Sequence, residues 1–128
     1  MSERPHRRLE IWKKSIELVK QIYQMTKQFP REEQFVLVPQ MRRAAISVPS
    51  NIAEGAARAF NREKLQFFHI GRASLSELDT QIEICEVLGL IQVGEKERVG
   101  RLMDEIGRMM TGLIASRRYK DFPQSLTR

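Results

Sequence analysis

At 128 residues, 41% apolar and 30% charged, the chain suits one globular domain and is too short for two. Its one cysteine, Cys85, excludes an internal disulfide framework and points to a reducing, cytoplasmic setting, and no apolar run resembles a signal peptide or a membrane span. A formal charge of +6 favours nucleic acid or another acidic surface as partner and says nothing about fold.

The chain reads as four amphipathic helices. Leu9, Ile16 and Tyr23 repeat by sevens, as do Trp12, Val19 and Thr26, which predicts a helix from about residue 8 to Phe29, stopped by Pro30. Arg31 to Leu37 forms a short connection, and Pro39 suits the first position of a second helix that runs to about Ala59. Pro49 lies inside that helix, where a kink or local break is expected. Asn61 is the expected N-cap of a third helix, in which Phe68, Leu75 and Ile82 make one row and Gly71, Leu78 and Cys85 its companion, through to about Leu88. After a turn from Gly89 to Gly94, the fourth helix carries Val99, Ile106 and Leu113, with Leu102, Met103, Met109 and Met110 alongside.

No segment alternates as a strand would. Short connections make successive helices antiparallel neighbours, so the expected fold is all-α, an up-down-up-down four-helix bundle over residues 1–128, with 1–7 and 121–128 as flexible tails. The apolar stripes of helices 1 and 4 are broader than one core needs, and the excess is read as subunit-interface surface.

Helix 2 holds the most specific stretch. Met41, Ala45, Val48 and Ile52 share one face, while Arg43, Ser47, Asn51, Glu54 and Arg58 gather on roughly the opposite one, spaced so that each reaches the next. This polar ladder has three readings: a structural or interfacial network, a phosphate-binding groove helped by Ser50, or a catalytic site with Glu54 as base and Asn51 and Arg43 beside it. The last lacks a clear partner group.

The pattern Gln40-x-Arg42-Arg43-Ala44 followed by Ser47-x-Pro49-x-Asn51-Ile52-Ala53-Glu54-Gly55 resembles the four-helix-bundle proteins named after intervening sequences in bacterial 23S ribosomal RNA genes. Leu9-x-x-Trp12, Phe29-Pro30 with Glu33, and Ser74-x-x-Glu77-Leu78 extend the similarity over nearly the whole chain. Val38-Pro39 departs from it, since the family often has a hydroxyl residue there to cap helix 2. The resemblance implies a ring-shaped homo-oligomer, often a homopentamer, and a role in binding nucleic acid. Related accessory proteins of diversity-generating retroelements are similarly ring-shaped and basic, which leaves a protein-binding scaffold or accessory subunit of a nucleic-acid enzyme as the alternative.

Antiparallel topology gathers Arg4, Arg7, Arg8, Lys13, Lys14, Arg58, Arg62, Lys64, Arg117, Arg118 and Lys120 at one end, against Glu3, Glu10, Glu54, Glu63 and Asp121. At the other end acidic residues prevail. In a ring of parallel subunits, the basic ends would form a rim suited to RNA or DNA backbones, with little base readout.

Conventional catalytic signatures are missing. His6 and His69 have no second ligand at metal spacing, no Gly-rich phosphate loop or nucleophile elbow occurs, and Cys85 sits on a core row. Neither a metal, a cofactor nor an enzymatic role is expected.

Overall fold

A computed structural model describes the backbone of residues 4–126 and the side chains of residues 4–118. Four helices run up, down, up and down: α1 (Glu10–Lys27), α2 (Leu37–Ala56), α3 (Asn61–Val87) and α4 (Val93–Leu126). Short 3-10 turns at Pro5–Arg8 and Arg31–Phe35 precede α1 and α2, and no strand occurs among the described residues. Each helix packs on its neighbours in sequence, and α1 packs against α4 to close the bundle.

The core is one contiguous cluster in which α2 contributes Met41, Ala44, Ala45, Val48 and Ile52, all fully buried. From α3 come Phe68, Leu75, Leu78, Ile82 and Cys85, as the two rows of sevens predict. In α4 the buried set is Val99, Met103, Ile106, Met110 and Ile114, whereas Leu102, Met109 and Leu113 are only partly covered.

In α1 the two predicted rows divide, with Thr26 fully buried and Leu9, Trp12 and Val19 partly buried against the core, while Ile16 and Tyr23 turn outward. Ile16 and Tyr23 are 45% and 38% exposed, and Trp12 and Val19 are half-buried. Ile11, Ser15, Leu18, Ile22 and Met25 face the core beside Thr26. Two apolar stripes compete on this helix, and the inner one is disguised by its hydroxyls. Ser15 donates to the Ile11 carbonyl and Thr26 to that of Ile22, each at 2.7 Å, so both are buried without an unsatisfied group.

Helix boundaries also differ locally. Helix α1 ends two residues before Phe29, where Gln34 of the following turn donates to the Thr26 and Phe29 carbonyls and ties that end down. Helix α2 begins at Leu37, which places Pro39 in the third position, still among the N–H groups that have no partner within a helix. It continues unbroken across Pro49 and ends at Ala56. Phe60 takes the cap position of α3, and Asn61 falls in its first turn. At the far end of α3, Gly89 has φ +73°, and the Gly89 and Leu90 amides donate to the Glu86 and Cys85 carbonyls, the paired closure that a left-handed glycine permits.

Two glycines stand where α2 and α3 pack together. A Cβ at Gly55 would strike the Phe68 ring, and one at Gly71 would lie 3.2 Å from Met110 Cε and 3.6 Å from the Val48 carbonyl. Gly71 therefore opens the α3 seam to α2, as its place in the row suggests. Gly55, which ends the Asn-Ile-Ala-Glu-Gly stretch, is fixed by packing.

Candidate functional site

The up-down course brings the start of α1, the end of α2, the start of α3 and the end of α4 to one end of the bundle. Side-chain bonds tie these segments together. Lys64 Nζ donates to the Ala56 carbonyl at 3.1 Å, so a cation from α3 meets the negative end of the α2 dipole. Arg118 of α4 reaches His69 of α3 at 3.3 Å.

The predicted basic residues do not share one electrostatic condition. Lys13 pairs with Glu10 at 3.6 Å, Lys14 with Glu105 at 3.1 Å, and Arg58 with Glu54 at 2.9 Å while lying over the Phe67 ring. These pairs are partly exposed and worth at most about 1 kcal/mol each, yet they offset charge that composition assigns to the rim. Arg7 stacks on Trp12 at 5.5 Å, a contact that leaves its charge uncompensated. Arg8, Arg62 and Arg118 are exposed, and Arg117 is half-buried, its Nε without a hydrogen-bond partner among the described residues. Lys120 lies outside the described side chains.

The helix α2 ladder faces sideways toward α3 rather than away from the core. Asn51 donates back to the Ser47 carbonyl and Oγ at 2.8 and 2.9 Å, and Arg58 to Glu54. Arg43 and Ser47 cross to α3 instead: Arg43 meets Glu77 at 2.9 Å, and Ser47 Oγ lies 2.7 Å from Ser74 Oγ. Ser74 and Glu77 belong to the Ser-x-x-Glu-Leu stretch of α3, so two separate sequence motifs meet in one inter-helix seam.

Beside this seam, the outward stripe of α1 and the exposed edge of α2 form two adjoining grooves. One, of about 340 Å³, is lined by Trp12, Ile16, Val19, Ile46, Pro49, Ser50 and Ala53. The other, of about 640 Å³, is lined by Tyr23, Gln34, Val38, Pro39, Arg42, Arg43, Ile46 and Ser47. Arg42 lies over Tyr23 at 4.2 Å and donates to Thr26 Oγ1 at 3.0 Å, which ties α2 to α1 beside that groove.

The opposite end is organised by carboxylates. Lys96 donates to Glu83 and Glu86 at 2.8 and 2.6 Å, and hydrogen bonds to the two carboxylates push its pKa upward. Cys85 is fully buried against Met41, and burial raises its thiol pKa to about 11, unsuited to nucleophilic chemistry. Among the described residues, no group of three or more His, Cys, Asp or Glu side chains could hold a metal ion. No helix there is long and apolar enough to cross a membrane.

The family model for the 23S rRNA-intervening sequence protein matches residues 7–112. A crystal structure of a protein of unknown function from the S23 ribosomal protein family of Bacteroides thetaiotaomicron is similar in fold, with a TM-score of 0.76 at 21% identity. The similarity covers 82% of this chain and 95% of that one. No curated protein matches.

Proposed function

This chain belongs to the 23S rRNA-intervening sequence protein family, and from that premise we propose that it is a non-catalytic, ring-forming bundle that binds the backbone of structured RNA or DNA through its basic end. The observation that carries this reading is the convergence of cations from four separate stretches. Arg7 and Arg8 before α1, Arg58 after α2, Arg62 and Lys64 at the start of α3, and Arg117 with Arg118 in α4 share one end. Close-set positive charge of this kind attracts phosphate with little regard to base sequence.

Self-association is supported by the uncovered apolar face of α1 and α2. Ile16 and Ile46 are 45% and 42% exposed, and a second subunit would remove them from water. Subunits arranged in parallel would set all their basic ends on one rim. Light scattering should give a mass several times that of one chain, and Ile16→Glu with Ile46→Glu should reduce it to the monomer without unfolding. Filter binding should retain both an RNA hairpin and a DNA duplex at low salt. No retention of either would overturn the proposal.

A second reading, a protein-binding scaffold or accessory subunit, has its own observation. Phe35, Val36, Val87, Leu88 and Val93 sit at the acidic end between 57% and 80% exposed. It predicts an oligomer that ignores nucleic acid at every salt concentration and loses its protein partner when Phe35 and Val87 are made polar.

A further inference from the structure

His69 lies in α3 between two guanidinium groups. Arg72 Nη2, one turn along the same helix, is 3.0 Å from its Nδ1, and Arg118 Nη2, from α4, is 3.3 Å from its Nε2. A neutral imidazole has one lone-pair nitrogen and one N–H, and guanidinium only donates. Whichever tautomer His69 adopts, one of the two contacts therefore sets a donor against a donor. Protonation makes both contacts unfavourable. The cluster lacks an acceptor.

We infer that His69, Arg72 and Arg118 form an oxyanion site that takes a phosphate group, supplied by the nucleic-acid backbone under the function proposed above, on which the identity of that source rests. A phosphate oxygen entering beside the ring accepts from both guanidiniums and from an imidazole N–H, replacing the mismatched contact with charge-assisted hydrogen bonds. The two arginines come from different helices, so the site exists only where α3 and α4 lie side by side.

The electrostatics agree. Desolvation, then Arg72 and Arg118, hold the His69 pKa below its ordinary value of 6.5, and these arginines are the charged groups acting on it from α3 and α4. Neither arginine makes an ion pair with a carboxylate among the described residues, and Asp104 and Arg108 of α4 line an adjoining groove with Arg72. A bound phosphate anion offsets the arginine field, so the His69 pKa rises on binding; affinity increases as pH falls through the pKa of the complex and levels off below that of the free protein. A one-unit rise corresponds to about tenfold tighter binding of the protonated form.

The test follows the ring resonances of the full-length protein by NMR as pH is varied, with inorganic phosphate as probe and chloride at matched ionic strength as control. His6→Gln assigns the two histidines. Phosphate should raise the His69 pKa and leave that of His6 in place, and Arg72→Gln or Arg118→Gln should abolish the response while the fold persists. Equal or absent shifts at the two histidines overturn the site. A second arm measures binding of an RNA hairpin, for which the double variant should lower the log–log salt slope by about one, for the single phosphate the two arginines share. If RNA binds with an unchanged slope and phosphate is silent, the site fails and the basic-end reading stands. If phosphate still moves His69 and no RNA binds, the site stands as a free-phosphate site and the proposed function fails.

Discussion

The two ends of the bundle handle their cations differently. At the acidic end Lys96 is held by two carboxylates, and its charge is consumed in tying the start of α4 to the end of α3. At the basic end Arg7 faces an indole and Arg72 and Arg118 face an imidazole. Neither kind of partner cancels a guanidinium's charge. The placement of carboxylates, more than the number of lysines and arginines, decides which end can attract an anion.

Removing cations from each end in turn sharpens this contrast most. Arg7, Arg8, Arg117 and Arg118 changed together to Gln should weaken RNA-hairpin binding by about 100-fold or more at moderate salt, read by fluorescence anisotropy. The matched change of Lys27, Arg31, Lys96 and Arg98 at the acidic end should alter it by about threefold at most. Equal losses would mean that bulk charge alone governs binding.

Packing separates two glycines in the same way. Gly55→Ala forces a methyl into the buried Phe68 ring where α2 meets α3, and should cost about 1–3 kcal/mol in urea unfolding. Gly100 of α4 has nothing within 4 Å of a new Cβ, so Gly100→Ala should stabilise by about 0.5–1 kcal/mol. The reverse order would place the tight helix approach elsewhere.

The smallest effect is on pH. The folded His69 pKa is depressed, so the unfolded chain binds more protons there, and this group's contribution is present above pH 6.5 and fades as pH falls below it. The residue is only half-buried, so melting temperature should fall only slightly between pH 7.5 and 5.5, and His69→Gln should flatten that part of the profile.

The bundle and its order were legible because short connections leave successive helices few ways to pack, and because α3 carries one unambiguous apolar stripe. Helix α1 misled because its outer row, Ile16 and Tyr23 with Trp12 and Val19, is as apolar as its inner one. Only packing reveals that Ser15 bonds back to its own helix and belongs inside beside Thr26. The gathering of basic residues followed from topology, but the pairing of Lys14 with Glu105 depends on how α1 and α4 are rotated, which no spacing records. Ser74 and Glu77 were visible as a motif and invisible as partners of Ser47 and Arg43, since residues 27 and 34 positions apart meet only after folding. In the sequence His69 stands out only as a histidine with no second ligand at metal spacing. Arg72 three residues on was the available signal, and Arg118, 49 positions away, completes the cluster.

Affinity for a duplex measured across a salt titration bears on the basic end most plainly. If about six phosphates are neutralised there, the log–log slope is about −5 and sequence changes in the duplex leave affinity nearly constant. No binding at the lowest salt, or a slope near zero, would contradict a phosphate-binding rim.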